Sequence, residues 1–193
     1  SKKLSHHRIR TRVKDEEIAV YSIETSNSGP ADSLVHKLTF HNIPGQDDDV
    51  PAIEIETGKI GRLAAGAVEL RRGDSVLYAT ASRDDEPKEG LDFMQLSVEH
   101  QERFSSAGMT SGAFNKRDGR PNEHEILTCR LIDRPLRPLI DERWRHDTQL
   151  LSWVLSYDGV RSCDPIAVVA SATALYISDV PLSKPVAAVE VGM

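Results

Sequence analysis

A chain of 193 residues, 39% of them hydrophobic, suffices for one domain, or one domain with a tail, and can bury an ordinary core. Its apolar runs fall far short of a membrane span. Its two cysteines, neither in a Cys-x-x-Cys pair, exclude a disulfide framework and a cysteine zinc site, and read as reduced core thiols. The net charge of −6 argues against nucleic acid only until its distribution is read: residues 1–14 carry six Lys/Arg and no acid, and residues 103–145 carry nine Lys/Arg against six Asp/Glu.

Residues 1–33 read as a basic, partly disordered N-terminal extension, with Ser26-Asn27-Ser28-Gly29-Pro30 as a loop signal. The basic start suits either the remnant of an organellar transit peptide or an exposed tail. Leu34–Ile43 has strand composition, and Pro44–Asp49 reads as a solvated acidic loop. Over Ala52–Thr57, Ile53 and Ile55 alternate with Glu54 and Glu56, which predicts a half-buried strand. Leu63–Arg71 and Ser75–Ser82 flank Arg72-Gly73-Asp74, a hairpin turn in which glycine supplies the unusual backbone angle. The small-residue run Ala64–Ala67 points to close packing against another element. Phe93–His100 reads as a further strand, so the first half is an antiparallel β unit.

The period then changes. Asn122–Arg137 reads as a helix, with Asn122 as N-cap, Glu125 nearly completing a capping box, and Pro135 and Pro138 ending or bending it. Leu150–Tyr157 reads as a buried strand, Asp164–Ser178 as a helix with Asp164 at the N-cap, and Val186–Val191 as a strand at which the chain stops, as a truncated fragment would. Strand, helix and strand in succession imply a βαβ unit. The whole is an α+β domain over residues 34–193, with helices packed on a mixed sheet.

Between the halves lies the most informative stretch. Gly108–Pro121 holds three glycines, the aromatic Phe114, and the cations Lys116, Arg117 and Arg120 within five residues. A flexible backbone, a stacking surface and concentrated positive charge suit single-stranded nucleic acid, and equally a solvated mobile loop. Arg130, Arg134 and Arg137 share one face of the following helix. That face meets phosphate or, more simply, pairs with neighbouring acids. Leu127, Leu131, Ile132 and Leu136 are expected mainly on the other side. His124-Glu125-Ile126-Leu127-Thr128 nearly spells a zincin helix, but Thr128 stands where the second histidine belongs. Nucleotide-binding glycine motifs and the serine-hydrolase elbow are absent. His100 and Glu102 are close in sequence, which alone says little about shared geometry. Trp144 and Trp153 are expected to pack.

Three strings carry a resemblance: Gln101-Glu102-Arg103-Phe104, Gly112–Pro121 and Arg130-Leu131-Ile132-Asp133-Arg134-Pro135-Leu136-Arg137-Pro138. Ile55–Gly58 and Asp92-Phe93 agree in order and spacing. Over about residues 34–193 the chain resembles the first RNase PH-type core domain of polynucleotide phosphorylases, the polyribonucleotide nucleotidyltransferases. Leu151–Gly159 is similar to the plant-mitochondrial branch in particular. The resemblance implies an RNase PH-like α+β fold, a homotrimeric ring, and 3′→5′ degradation of RNA by inorganic phosphate to nucleoside diphosphates. It implies RNA contacts by Lys116, Arg117 and Arg120, with Phe114 as a stacking platform. Asn115 departs from the second phenylalanine common there, and Lys116 from the common arginine, so weaker gripping is implied. It places phosphate binding and Mg2+ in a second core domain, and leaves this chain no catalytic residue and no metal ligand. It implies a mitochondrial location, with chloroplast or bacterial cytoplasm as alternatives. A non-catalytic RNA-binding or scaffold module and a stand-alone RNase PH-type enzyme remain as other readings.

Overall fold

The computed structural model describes residues 5–13, 16–26, 34–41, 52–88, 90, 93–110 and 120–192, with side chains from Ser22 onward except that of His41. Eight strands form one sheet: β1 (Ser5–Val13), β2 (Glu16–Ser26), β3 (Val35–His41), β4 (Ile53–Thr57), β5 (Gly66–Arg72), β6 (Ser75–Arg83), β7 (Leu96–Glu102) and β8 (Thr148–Ser156). Their order is β1-β2-β3-β4-β5-β6-β8-β7. All neighbours are antiparallel except β7 and β8, which run parallel. Two helices, α1 (Glu123–Leu136) and α2 (Asp164–Ile177), pack on it. This is the expected mixed-sheet α+β architecture.

The parallel pair arises differently from expectation. Residues 186–191 form no strand, so the βαβ unit is not β8-α2-strand but β7-α1-β8. Residues 186–191 cannot pair with β8, which is already paired on both sides, by β6 and β7. At the other end, residues 5–26, expected within a partly disordered extension, form β1 and β2. This hairpin pairs onto β3 and carries the sheet across the expected boundary at residue 33. Residues 27–33 and the acidic loop 44–49 lie outside the described residues.

The turn Gly73-Asp74 joins β5 to β6 with Gly73 at φ +62°, as read from the sequence. The small-residue run has its predicted use: Gly66 on β5 lies so close to α2 that a Cβ there would stand 2.1 Å from the carbonyl oxygen of Ala174. Helix α2 is alanine-rich and buries Ile166, Val168 and Leu175 against β5, β6 and β8. Helix α1 packs on β7 and α2 through Ile132 and Leu136, both fully buried. Leu127 and Leu131, expected on the inner side, are instead exposed beside Arg130 and Arg134. Among the described residues, Arg137 is the member of that trio that turns back, pairing with Asp133 and donating to the Leu96 carbonyl at 3.0 Å. Pro135 lies within the helix, and Pro138 within the 3-10 turn Arg137–Leu139 that ends it. Among the described residues no helix is long and apolar enough to cross a membrane.

Candidate functional site

The C-terminal ends of the two parallel strands and the N-termini of both helices converge on one cavity of about 560 Å³. Its walls come from Gln101 and Glu102 of β7, the turn after it, Val154 and Tyr157 at the end of β8, Asn122, His124 and Glu125 at the start of α1, and Cys163 before α2. The turn is held in place by backbone bonds: Met109 N–H donates to the Phe104 carbonyl, and Tyr157 N–H to the Ser106 carbonyl.

Glu125 organises this region. It is buried, and its two carboxylate oxygens accept from the backbone N–H groups of Asn122 (2.6 Å) and Glu102 (2.7 Å). The Asn122 side chain accepts from the Glu125 N–H at 2.7 Å, which completes the capping box. One side chain thus caps α1 and ties it to the end of β7. That tie sets Glu102 beside His124.

Around this tie four titratable groups gather. His124 Nδ1 lies 3.1 Å from Glu102 Oε1, and its Nε2 lies 3.4 Å from Asp164 Oδ2. The Thr128 hydroxyl lies 3.0 Å from Asp164 Oδ1 and 3.0 Å from the His124 carbonyl, and its one proton is shared between these two acceptors. Asp164 occupies the first turn of α2, where the helix dipole favours an anion. Cys163, not Asp164, is the N-cap. His100, only 1% exposed, meets Ser152 Oγ through Nδ1 at 3.2 Å. Its Nε2 makes no hydrogen bond and stands 3.6 Å from Glu102 Oε1, an electrostatic contact rather than a formed bond. That imidazole is the main influence holding the Glu102 carboxyl below the ordinary glutamate range. Desolvation opposes it, and His124 adds to it. The Cys163 thiol is pushed up to about 11, first by burial and then by the Glu102 charge, so it is inert as a nucleophile.

Of the residues expected to hold RNA, Arg120 is exposed and lines the cavity just before α1. Phe114, Lys116 and Arg117 lie outside the described residues. Sequence reasoning passed over Arg103, exposed at the same cavity, with its guanidinium 5.0 Å from the centroid of the Trp153 ring. Among the described residues, neither Arg103 nor Arg120 is engaged in an ion pair. Trp144 packs as expected, donating its indole N–H to Thr148 Oγ1. The fold brings Glu102, His124 and Asp164 together from β7, α1 and α2, with one ligand-type atom of each within 4.8 Å of the others.

A mixed sheet with a β7-α1-β8 crossover, and a cationic cavity rim at the end of its parallel strands, defines an RNase PH-type domain. The chain belongs to the 3′ exoribonuclease family as its domain 1, whose profile matches residues 50–181. It is 43% identical over 186 residues to the probable polyribonucleotide nucleotidyltransferase 1, chloroplastic, of Oryza sativa subsp. japonica, a match covering 96% of this chain and 20% of that protein. It is 51% identical over 140 residues to the polyribonucleotide nucleotidyltransferase of Protochlamydia amoebophila, covering 72% and 20%. The chain therefore spans about a fifth of these relatives' length. Among solved structures, rice Rrp46 superposes with a TM-score of 0.55 at 16% identity, over 73% of this chain and 63% of that one. It shares the fold.

Proposed function

We propose that this chain is the first core domain of a phosphorolytic 3′→5′ exoribonuclease, and that it grips single-stranded RNA at the cavity rim. The observation that carries the reading is the placement of Arg120. Arg120, the last residue of the basic segment Lys116-Arg117-Asp118-Gly119-Arg120, stands at a cavity mouth where Arg103 is also exposed, so two cations meet at one edge of an otherwise acidic chain. The names of the relatives support the reaction class, polyribonucleotide nucleotidyltransferase. On this reading Lys116, Arg117 and Arg120 contact phosphates and Phe114 stacks on a base. Residues 34–193 form one member of a homotrimeric ring, and inorganic phosphate and Mg2+ act in a second core domain. The residues of this chain receive no catalytic step. An organellar location follows the chloroplastic relative, and the mitochondrion follows the Leu151–Gly159 string.

The test has two parts. Alanine at Lys116, Arg117 and Arg120 together is expected to weaken single-stranded RNA binding. The slope of log K against log salt should fall by about 2, near 0.7 for each phosphate no longer neutralised. An unchanged slope removes the loop from RNA binding. In the full-length protein, degradation should require inorganic phosphate and release nucleoside diphosphates. Monophosphates released without phosphate would exclude phosphorolysis, and RNA binding without any turnover would favour a scaffold module.

A further inference from the structure

We propose that Glu102, His124 and Asp164 form a binding site for a single divalent first-row metal ion, of the zinc or manganese kind, at the wall of the cavity. The site is argued from coordination geometry and does not rest on the RNA reading.

One nitrogen of His124 and one oxygen each of Glu102 and Asp164 lie within 4.8 Å of one another. Ligand atoms about 2.1 Å from a shared ion stand roughly 3–3.5 Å apart, so closure needs a shift of less than about 2 Å. The His124 side chain is 55% exposed and has room to make it. Its two ring nitrogens now face one carboxylate each, and one of them would turn to the ion. Two carboxylates against one imidazole leave the cluster net negative whether or not His124 is protonated. Glu125 does not compete, because both its oxygens are already taken by backbone N–H groups.

Two further features point to a ligand. The first is His100. Its Nε2 is buried, makes no hydrogen bond, and faces the Glu102 oxygen that would coordinate. A buried ring nitrogen without a partner is costly on its own. Behind a metal-bound carboxylate it has a use, since ligating carboxylates are commonly backed by such a second group. The second is Thr128. Its hydroxyl, shared with the His124 carbonyl, contacts one oxygen of Asp164 and leaves the other, Oδ2, facing His124. Thr128 occupies the position that a zincin helix gives to its second histidine. Here the ligands after His124 come instead from other elements, and residue 128 orients one of them.

The donor set selects the ion. An imidazole with two carboxylates suits zinc or manganese better than magnesium, which favours an all-oxygen octahedron. Three protein ligands at a solvent-facing site leave positions for water, the pattern of an open rather than a closed site.

The test is titration of the metal-stripped chain with MnCl2 or ZnCl2, followed by calorimetry and by the proton spectrum of the imidazoles. One ion per chain is expected, and Mn2+ should broaden the ring protons of His124 and His100 before those of the other histidines. His124→Ala should lower affinity at least tenfold, while Glu123→Gln, an exposed acid on the same helical turn outside the cluster, should leave it unchanged. Equal affinity for the wild type and His124→Ala would overturn the site. So would broadening that spares His124 in the unmodified protein, a readout that needs no variant to fold. Failure of either leaves the RNA reading untouched, because no cation of the loop takes part.

Discussion

Replacing Glu125 by alanine is expected to cost far more than an ordinary capping substitution. Its carboxylate accepts two backbone N–H groups, at 2.6 and 2.7 Å, while itself buried. A hydrogen bond to a charged group contributes about 1.5–3 kcal/mol, so two would give roughly 3–6 kcal/mol. Asn122 is exposed and water can satisfy its freed N–H, whereas the half-buried Glu102 N–H is harder to satisfy. A net loss of about 2–4 kcal/mol follows, a large share of a total stability of roughly 5–15 kcal/mol. Asn122→Ala removes only the reciprocal bond to the Glu125 N–H and should cost about 1 kcal/mol. Urea denaturation of both variants, followed by circular dichroism, measures the difference. The double variant should cost less than the sum of the singles, because both belong to one capping box. Equal losses near 1 kcal/mol for the two singles would show that Glu125 merely caps α1, and that the tie to β7 contributes nothing.

Gly66→Ala should destabilise the fold by about 2 kcal/mol or more, since its Cβ would meet the Ala174 carbonyl at 2.1 Å and β5 must separate from α2. An unchanged melting temperature would refute that close approach. With its pKa at about 11, the Cys163 thiol is only roughly 0.3% ionised at pH 8.5, so iodoacetamide should spare it in the native protein and modify it in urea. Complete native-state modification within minutes would contradict its burial. The Glu102 carboxyl titrates below its ordinary value of 4.5, so its stabilising contribution is present above that value and is lost as pH falls through the folded one. In a chelating buffer, wild-type stability should therefore drop more steeply than that of Glu102→Gln between about pH 5 and 3. Parallel curves would show that His100 and His124 do not hold the charge.

What the sequence disclosed, and what it concealed, divides along physical lines. Local signals were legible: the Gly73 turn, the Asn122 cap and the small-residue approach at Gly66 each depend on a few consecutive residues. The inward half of α1 was read correctly at Ile132 and Leu136 and incorrectly at Leu127 and Leu131. Periodicity locates an apolar stripe but not its orientation to the sheet, and the arginines share the outward side. The parallel pair was expected, but at the wrong strands. The pairing of residues 96–102 with 148–156 is non-local, and no nearby residue signals it. The same distance hid the Glu102–His124–Asp164 cluster, whose members belong to three elements. Only the isolated histidine of the near-zincin string hinted at it. The hairpin over residues 5–26 was missed because charged and hydroxyl residues there dilute the Ile, Val and Tyr that favour strands.

The sheet order has a consequence for synthesis on the ribosome. β6 ends at Arg83 but cannot acquire its second neighbour until β8, residues 148–156, has emerged. At roughly 5–20 residues per second, several seconds pass while one apolar strand presents a bare row of amide and carbonyl groups to solvent. Through that interval the nascent chain is a natural client for a holding chaperone, and crowded translation would expose it to pairing with its own kind.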